Sequence, residues 1–198
     1  MPAEKADLDP REAAEEAAEA FDRTGIPYRI GGSMASVLHG ELRTTQDVDF
    51  VAHVGWGNLT ALAEALRDQF FVEPESIRDA VRDQRSFNVI HRRTFVKVDV
   101  FVTADAGFER SQMQRAVRIS LSSLSVRKVR VASPEDIVLQ KLLWFRMTDE
   151  TSERQWRDVL GVLKVRGPTL DRDYLDRWAR ELELLPLLSR ALREAGLP

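Results

Sequence analysis

Two short stretches constrain this chain more than any other. The first is Ile30-Gly31-Gly32-Ser33-Met34-Ala35-Ser36-Val37-Leu38-His39-Gly40, and the second is Arg43-Thr44-Thr45-Gln46-Asp47-Val48-Asp49-Phe50-Val51. Together they predict an apolar strand, a glycine turn, one short helix from Ser33 to Leu38, and a second strand from Asp47 to His53. Glycines let the backbone approach an anion closely, and the N–H groups of the following helix point at it; phosphate is the usual occupant. Asp47 and Asp49 are two apart in an extended run, so their side chains leave on one face. Carboxylates that close repel each other unless a cation lies between them, and Mg²⁺ is the hard, oxygen-preferring candidate. A phosphate grip beside a divalent-cation grip is what phosphoryl or nucleotidyl transfer requires.

A third element sharpens this. Lys97-Val98-Asp99-Val100-Phe101-Val102 is another apolar strand with one carboxylate in its middle. An ionised Asp between two valines is costly unless it is paired or bound to metal. The combination resembles the nucleotidyltransferase superfamily of the polymerase-beta type, and more narrowly its AbiEii-like and related bacterial and archaeal branches. Gly32-Ser33, Asp47, Asp49 and Asp99 match the superfamily pattern of Gly-Ser, helix, Asp-x-Asp and a later single Asp. Arg43, Thr45, Asp47 and Asp49 match the Arg-x-Thr-x-Asp-x-Asp lead-in of those branches. The resemblance covers roughly residues 25 to 165.

The resemblance implies a Mg²⁺- or Mn²⁺-dependent transfer of NMP from an NTP to an acceptor hydroxyl on RNA, protein or a small molecule. It implies Asp47, Asp49 and Asp99 as metal ligands, and Gly31, Gly32 and Ser33 as the phosphate cradle, with Arg43 and Thr45 meeting phosphate or a neighbouring carboxylate. In the AbiEii-like proteins a Lys on a helix after the third acid, and an Asp one helix later in an Arg-x-x-x-Asp setting, are functional. Lys141 and Asp158 match these, so Lys141 is expected to neutralise phosphate charge while Asp158 orients Lys141 or the acceptor. The alternative is a catalytically idle nucleotidyltransferase fold that binds nucleotide, or pairs with a cognate antitoxin or other protein.

Each residue also has a plain structural reading. The three acids would be two surface carboxylates and one salt-bridged Asp, Gly32-Ser33 a simple capped turn, and Arg43 and Thr45 edge-strand residues. Lys141 and Asp158 would be an ion pair linking two helices. His39, His53 and His91 do not cluster at ligand spacing. Trp144, Trp156 and Trp178 recur at helical positions and read as core, whereas Trp56, in Gly55-Trp56-Gly57, lies in a turn where a base has room to stack.

The 198 residues suit one domain or a domain with a helical appendage. The net charge of -3 hides a segregation: residues 1–81 carry -9, residues 82–146 carry +7 and residues 147–198 carry -1. A basic middle beside a carboxylate site would guide a polyanion such as tRNA, though solvated strand charge explains it as simply. No apolar run is long enough to span a membrane, and no secretory signal pattern opens the chain. With no cysteines the chain has no disulfide or thiolate metal site, which is compatible with a cytoplasmic setting.

Reading on, Asp9-Pro10 starts a helix that Gly25 stops. Tyr28 to Ile30 form a strand, Asn58 caps a helix to about Phe70, and Pro74 to about Gln84 form another. Phe87 to His91 and Thr94 to Val102 form a hairpin turning at Arg92-Arg93. A helix from Asp105 to Arg115 and strands at Val117 to Leu121 and Val126 to Val131 follow. Ser133-Pro134 opens the first of four C-terminal helices. The expected fold is therefore α+β: a mixed sheet flanked by helices over 1–132, and a helical bundle over 133–198.

Overall fold

A computed structural model describes residues 9–40, 45–123 and 125–198. The chain divides into two units, one built from the described residues of 1–34 and 45–131, the other from those of 35–44 and 132–198.

The first unit is organised on one mixed sheet of seven strands: β1 (Tyr28–Ile30), β2 (Val48–Ala52), β3 (Phe70–Phe71), β4 (Ser86–His91), β5 (Lys97–Val102), β6 (Val117–Ile119) and β7 (Val129–Val131). Their order is β3-β4-β5-β2-β1-β7-β6. β2 runs parallel to β5 and antiparallel to β1. Its helices are α1 (Pro10–Thr24), α3 (Leu59–Leu66), α4 (Pro74–Asp83) and α5 (Gly107–Arg115). α1 forms where its signals predict: the Asp9 carboxylate accepts the Arg11 N–H at 3.0 Å, Pro10 opens the first turn, and Gly25 ends the helix at φ +66°. Its stripe of Ala13, Ala14, Ala17, Ala18 and Phe21 is buried, and Phe21 stacks 5.3 Å from both Tyr28 and Phe50.

That stack identifies the face of the sheet turned toward α1. Tyr28, Ile30, Val48, Phe50, Val98 and Val100 are buried there. Strand alternation sends Arg29, Asp49, Val51, Lys97, Asp99 and Phe101 to the opposite face.

Several boundaries differ from the sequence reading, among them β6 and β7, which are shorter than the strands expected at Val117 to Leu121 and Val126 to Val131. The helix expected from Asn58 to Phe70 ends at Leu66, after a 3-10 turn at Trp56–Asn58. Phe70–Phe71 pairs instead with Ile90 and His91 of β4, which satisfies backbone groups that a longer helix would leave without a sheet partner. Thr94 to Val96 belong to the hairpin turn, where Phe95 takes φ +55°, so β5 begins at Lys97. The hairpin itself and the single mixed sheet agree with the expectation.

The second unit is helical: α6 (Pro134–Met147), α7 (Glu153–Arg166), α8 (Arg172–Glu181) and α9 (Leu185–Glu194). α2 (Gly32–His39) starts in the first unit and ends in the second. Ser133 caps α6, its Oγ accepting the Asp136 N–H at 3.2 Å and donating to Asp136 Oδ2 at 2.9 Å. Tyr174 of α8 donates to the other Asp136 oxygen at 2.6 Å, and the Asp171 N–H donates to Glu135 at 2.9 Å. Asp136 therefore serves twice, at the cap and, with Glu135, as an anchor for α8. Among the described residues no helix is long and apolar enough to cross a membrane.

Candidate active site

Two of the proposed acids, Asp49 and Asp99, share the sheet face away from α1. Asp49 and Asp99 are register partners across the parallel β2–β5 pair, and Asn88 of β4 stands opposite Asp99 on its other side. Neighbouring strands lie about 4.8 Å apart, so the two carboxylates leave the same face one strand spacing from each other. Both are half-buried. β2 begins at Val48, so Asp47 lies one residue before it and is exposed. Thr45 also precedes the strand; its hydroxyl accepts the Asp47 N–H at 3.3 Å, so it shapes the lead-in turn rather than sharing a strand face. Arg43 lies outside the described residues.

The glycine turn abuts this pair. The Gly31 N–H donates to the Asp49 carbonyl at 2.9 Å. Gly32 takes φ +55°, and a Cβ there would come within 2.7 Å of Asp49 Cγ and collide with the carboxylate oxygen. Only glycine both adopts that backbone and leaves the space the Asp49 carboxylate fills. Ser33 follows in the first turn of α2 and is buried.

Two basic residues that the sequence reading gave no role complete the surroundings. Lys97 Nζ lies 2.7 Å from Asp99 Oδ2. The hydrogen bond to Asp99 pushes the Lys97 pKa up, and the charges of Asp99, Asp47 and Asp49 add to it. This one ammonium thus feels all three acids. Arg29, 2% exposed, sends one Nη to Glu109 of α5 at 3.0 Å, and its other Nη approaches the Gly31 position. A basic residue two before an acid in the same strand was the available signal for Lys97; nothing local distinguishes Arg29.

A donor set made of carboxylate oxygens suits Mg²⁺ or Mn²⁺, and a space at Gly32 that any larger residue would fill lets Asp49 take part. The residues therefore fit a hard divalent ion. The set of three ligand atoms that already lie within 4.8 Å of one another among the described residues is a different one: Glu12, Glu16 and His91. Sequence spacing separates these residues and the β4–α1 packing unites them. The Thr94 N–H donates to His91 Nδ1 at 3.3 Å, so the ring proton sits on Nε2 and goes to Glu16 at 2.9 Å. Arg93 pairs with Glu12. That proton inventory describes a hydrogen-bonded knot joining the hairpin to α1.

Lys141 and Asp158 belong to the second unit, where they join α6 to α7. Nζ and Oδ2 lie 2.6 Å apart, and both side chains are 1–2% exposed. Trp178 is buried, Trp144 and Trp156 are half-buried, and Trp156 donates to Glu194 at 2.8 Å. Trp56 is 60% exposed on its 3-10 turn.

Comparison with known proteins gives the family and the fold. Residues 30–195 match the family model described as "Nucleotidyl transferase AbiEii toxin, Type IV TA system". No curated protein matches the chain. An antigenic nucleotidyltransferase-like protein from Paracoccidioides brasiliensis shares the fold at TM-score 0.56 and 20% identity, over 95% of this chain and 94% of that one. ANT(2")-Ia, solved in complex with adenylyl-2"-tobramycin, aligns at TM-score 0.55 and 14% identity, over 87% of this chain and 96% of its own.

Proposed function

The chain belongs to the AbiEii nucleotidyltransferase family, and from that premise we propose that it moves a nucleoside monophosphate from an NTP to an acceptor hydroxyl with the help of Mg²⁺ or Mn²⁺. The observation that carries this reading is the in-register Asp49/Asp99 pair set against the Gly32 turn.

Asp47, Asp49 and Asp99 are the residues to hold the ion, which supplies charge neutralisation at the phosphate under attack. Asp99 takes the role nearest the acceptor, receiving the proton of the attacking hydroxyl. The Gly32 N–H and the Ser33 hydroxyl hold the terminal phosphates that leave as pyrophosphate, while Gly31, whose N–H is bonded to the Asp49 carbonyl, shapes the turn that presents them. Arg43 and Thr45 are assigned to phosphate or to a neighbouring carboxylate. Lys141 neutralises phosphate charge, and Asp158 orients it. Positioning, not covalent chemistry, carries the rate.

The +7 stretch over 82–146 favours a polyanionic acceptor such as tRNA over a neutral one. A cognate antitoxin is the expected protein partner of such a family member, and an NTP-dependent reaction places the chain in the cytoplasm. The test is incubation with each labelled NTP, Mg²⁺ and panels of RNAs, proteins and small hydroxyl compounds. Label transfer that Asp49→Asn abolishes supports the reading. No transfer, with no nucleotide or Mg²⁺ binding by calorimetry, refutes it.

A further inference from the structure

Lys97 sets a positive charge among carboxylates assigned to a cation. It shares a sheet face with Asp99, two residues on in β5, and lies next to the ladder position that leads back to Asp47. Its Nζ sits 2.7 Å from Asp99 Oδ2, within reach of the fields of Asp47 and Asp49. Its side chain is 55% exposed, so it can swing to solvent without opening the core.

Three carboxylates on one patch need positive charge, and here the chain brings its own. We propose that Lys97 is a positioning residue that competes with the divalent ion for Asp99, so that the ion binds fully only when the phosphates of an NTP draw the ammonium off that carboxylate. An ammonium is a compact point charge that pairs with a carboxylate oxygen and pairs equally well with a phosphate oxygen. Moving it from Asp99 to the triphosphate frees an oxygen for the ion and adds a cation to the nucleotide in one displacement. Metal and nucleotide then bind cooperatively, and the ion is held weakly when alone. This rests on the proposed nucleotidyl-transfer reading, because it needs Asp99 to be a metal ligand.

The test is Mn²⁺ binding to the full chain, by calorimetry and by electron paramagnetic resonance, with and without a non-hydrolysable NTP analogue. Wild type, Lys97→Met, Lys97→Arg and Asp49→Asn are compared. We expect Lys97→Met to bind Mn²⁺ alone about tenfold more tightly than wild type, as removal of a nearby charge should give. It should also lose most of the further gain on adding the analogue. Lys97→Arg, which keeps the charge, should stay close to wild type, an outcome a purely structural role would not produce. Equal Mn²⁺ affinity in wild type and Lys97→Met, with Asp49→Asn weaker than both, overturns the competition and leaves the metal site standing. Mn²⁺ binding by none of the four, or binding that Asp49→Asn does not weaken, overturns the underlying reading as well.

Discussion

Asp49 of β2 and Asp99 of β5 are exact register partners in a parallel ladder, and an ammonium from Lys97 touches the second of them. Like charges on adjacent strands weaken a sheet unless something rewards their proximity. Here the sheet keeps both carboxylates on one face, half-buried, beside a turn in which Gly32 has no side chain to displace Asp49.

Asp49→Asn and Asp99→Asn should each lower nucleotidyl transfer at least about 100-fold, the scale seen when one electrostatic contact to a transition state is removed. The melting temperature of the protein without added metal should hold or rise for Asp49→Asn, because one repelling charge is gone. For Asp99→Asn the loss should stay below about 1 kcal/mol, since Lys97 is exposed and solvent replaces its partner. Thermal melts beside transfer assays check both; a large loss of stability with either variant marks the acids as structural.

Gly32→Ala and Gly31→Ala should separate cleanly. At Gly32 the alanine must adopt φ +55° and push the Asp49 carboxylate aside, which costs roughly 1–3 kcal/mol and weakens divalent-ion binding. At Gly31 the nearest atom to a new Cβ is an Arg29 Nη at 3.5 Å, an ordinary contact, so stability should move by less than about 1 kcal/mol. Urea denaturation and Mg²⁺ titration of the two variants read the difference.

The buried Lys141–Asp158 pair allows its two roles to be told apart. Asp158→Ala leaves an ammonium 1–2% exposed without that partner and should cost about 3–5 kcal/mol. Lys141→Met with Asp158→Leu removes both charges and should recover most of that stability. If the double variant folds but transfers poorly, with KM for NTP raised, Lys141 acts on phosphate. Full activity in the same variant assigns the pair to holding α6 against α7.

His39 should make stability depend on pH. Its Nε2–H donates to the Ala132 carbonyl at 2.7 Å, and its Nδ1 is buried with no hydrogen-bond partner among the described residues. Burial pulls its pKa below 6.5, with the nearby Arg166 charge acting in the same direction and Glu135 against it. Below pH 6.5 the unfolded chain therefore binds a proton that the folded chain resists, so stability is full above that pH and falls as pH drops through 6.5 toward the folded pKa. One such group gives a slope of at most about 1.4 kcal/mol per pH unit. His53, whose pKa burial also lowers, acts in the same sense. Denaturation between pH 7.5 and 5 should show a shallower slope in His39→Gln than in wild type.

Much of this was legible because it is local. Asp9, Pro10 and Gly25 mark the ends of α1, and Ser133-Pro134 marks the start of α6, through contacts no more than a few residues apart. The Gly-Gly turn and the alternating acids carry their meaning in spacing alone. Phe70 read as the end of a helix because Leu62 and Leu66 continue to it at helical spacing. Pairing with a distant strand overrode that pattern.

By itself, then, the sequence determined which residues are chemically able to grip phosphate and metal, and which local turns and helix ends must form. Tertiary structure alone decided that Asp99 stands opposite Asp49, that Gly32 yields its space to a carboxylate, that Lys97 rests on the third acid, and that Lys141 is sealed against Asp158. The reason is physical. Propensity and capping act over a turn or two of chain, whereas ladder register and ion pairing depend on distances that exist only once strands and helices from remote parts of the chain have packed.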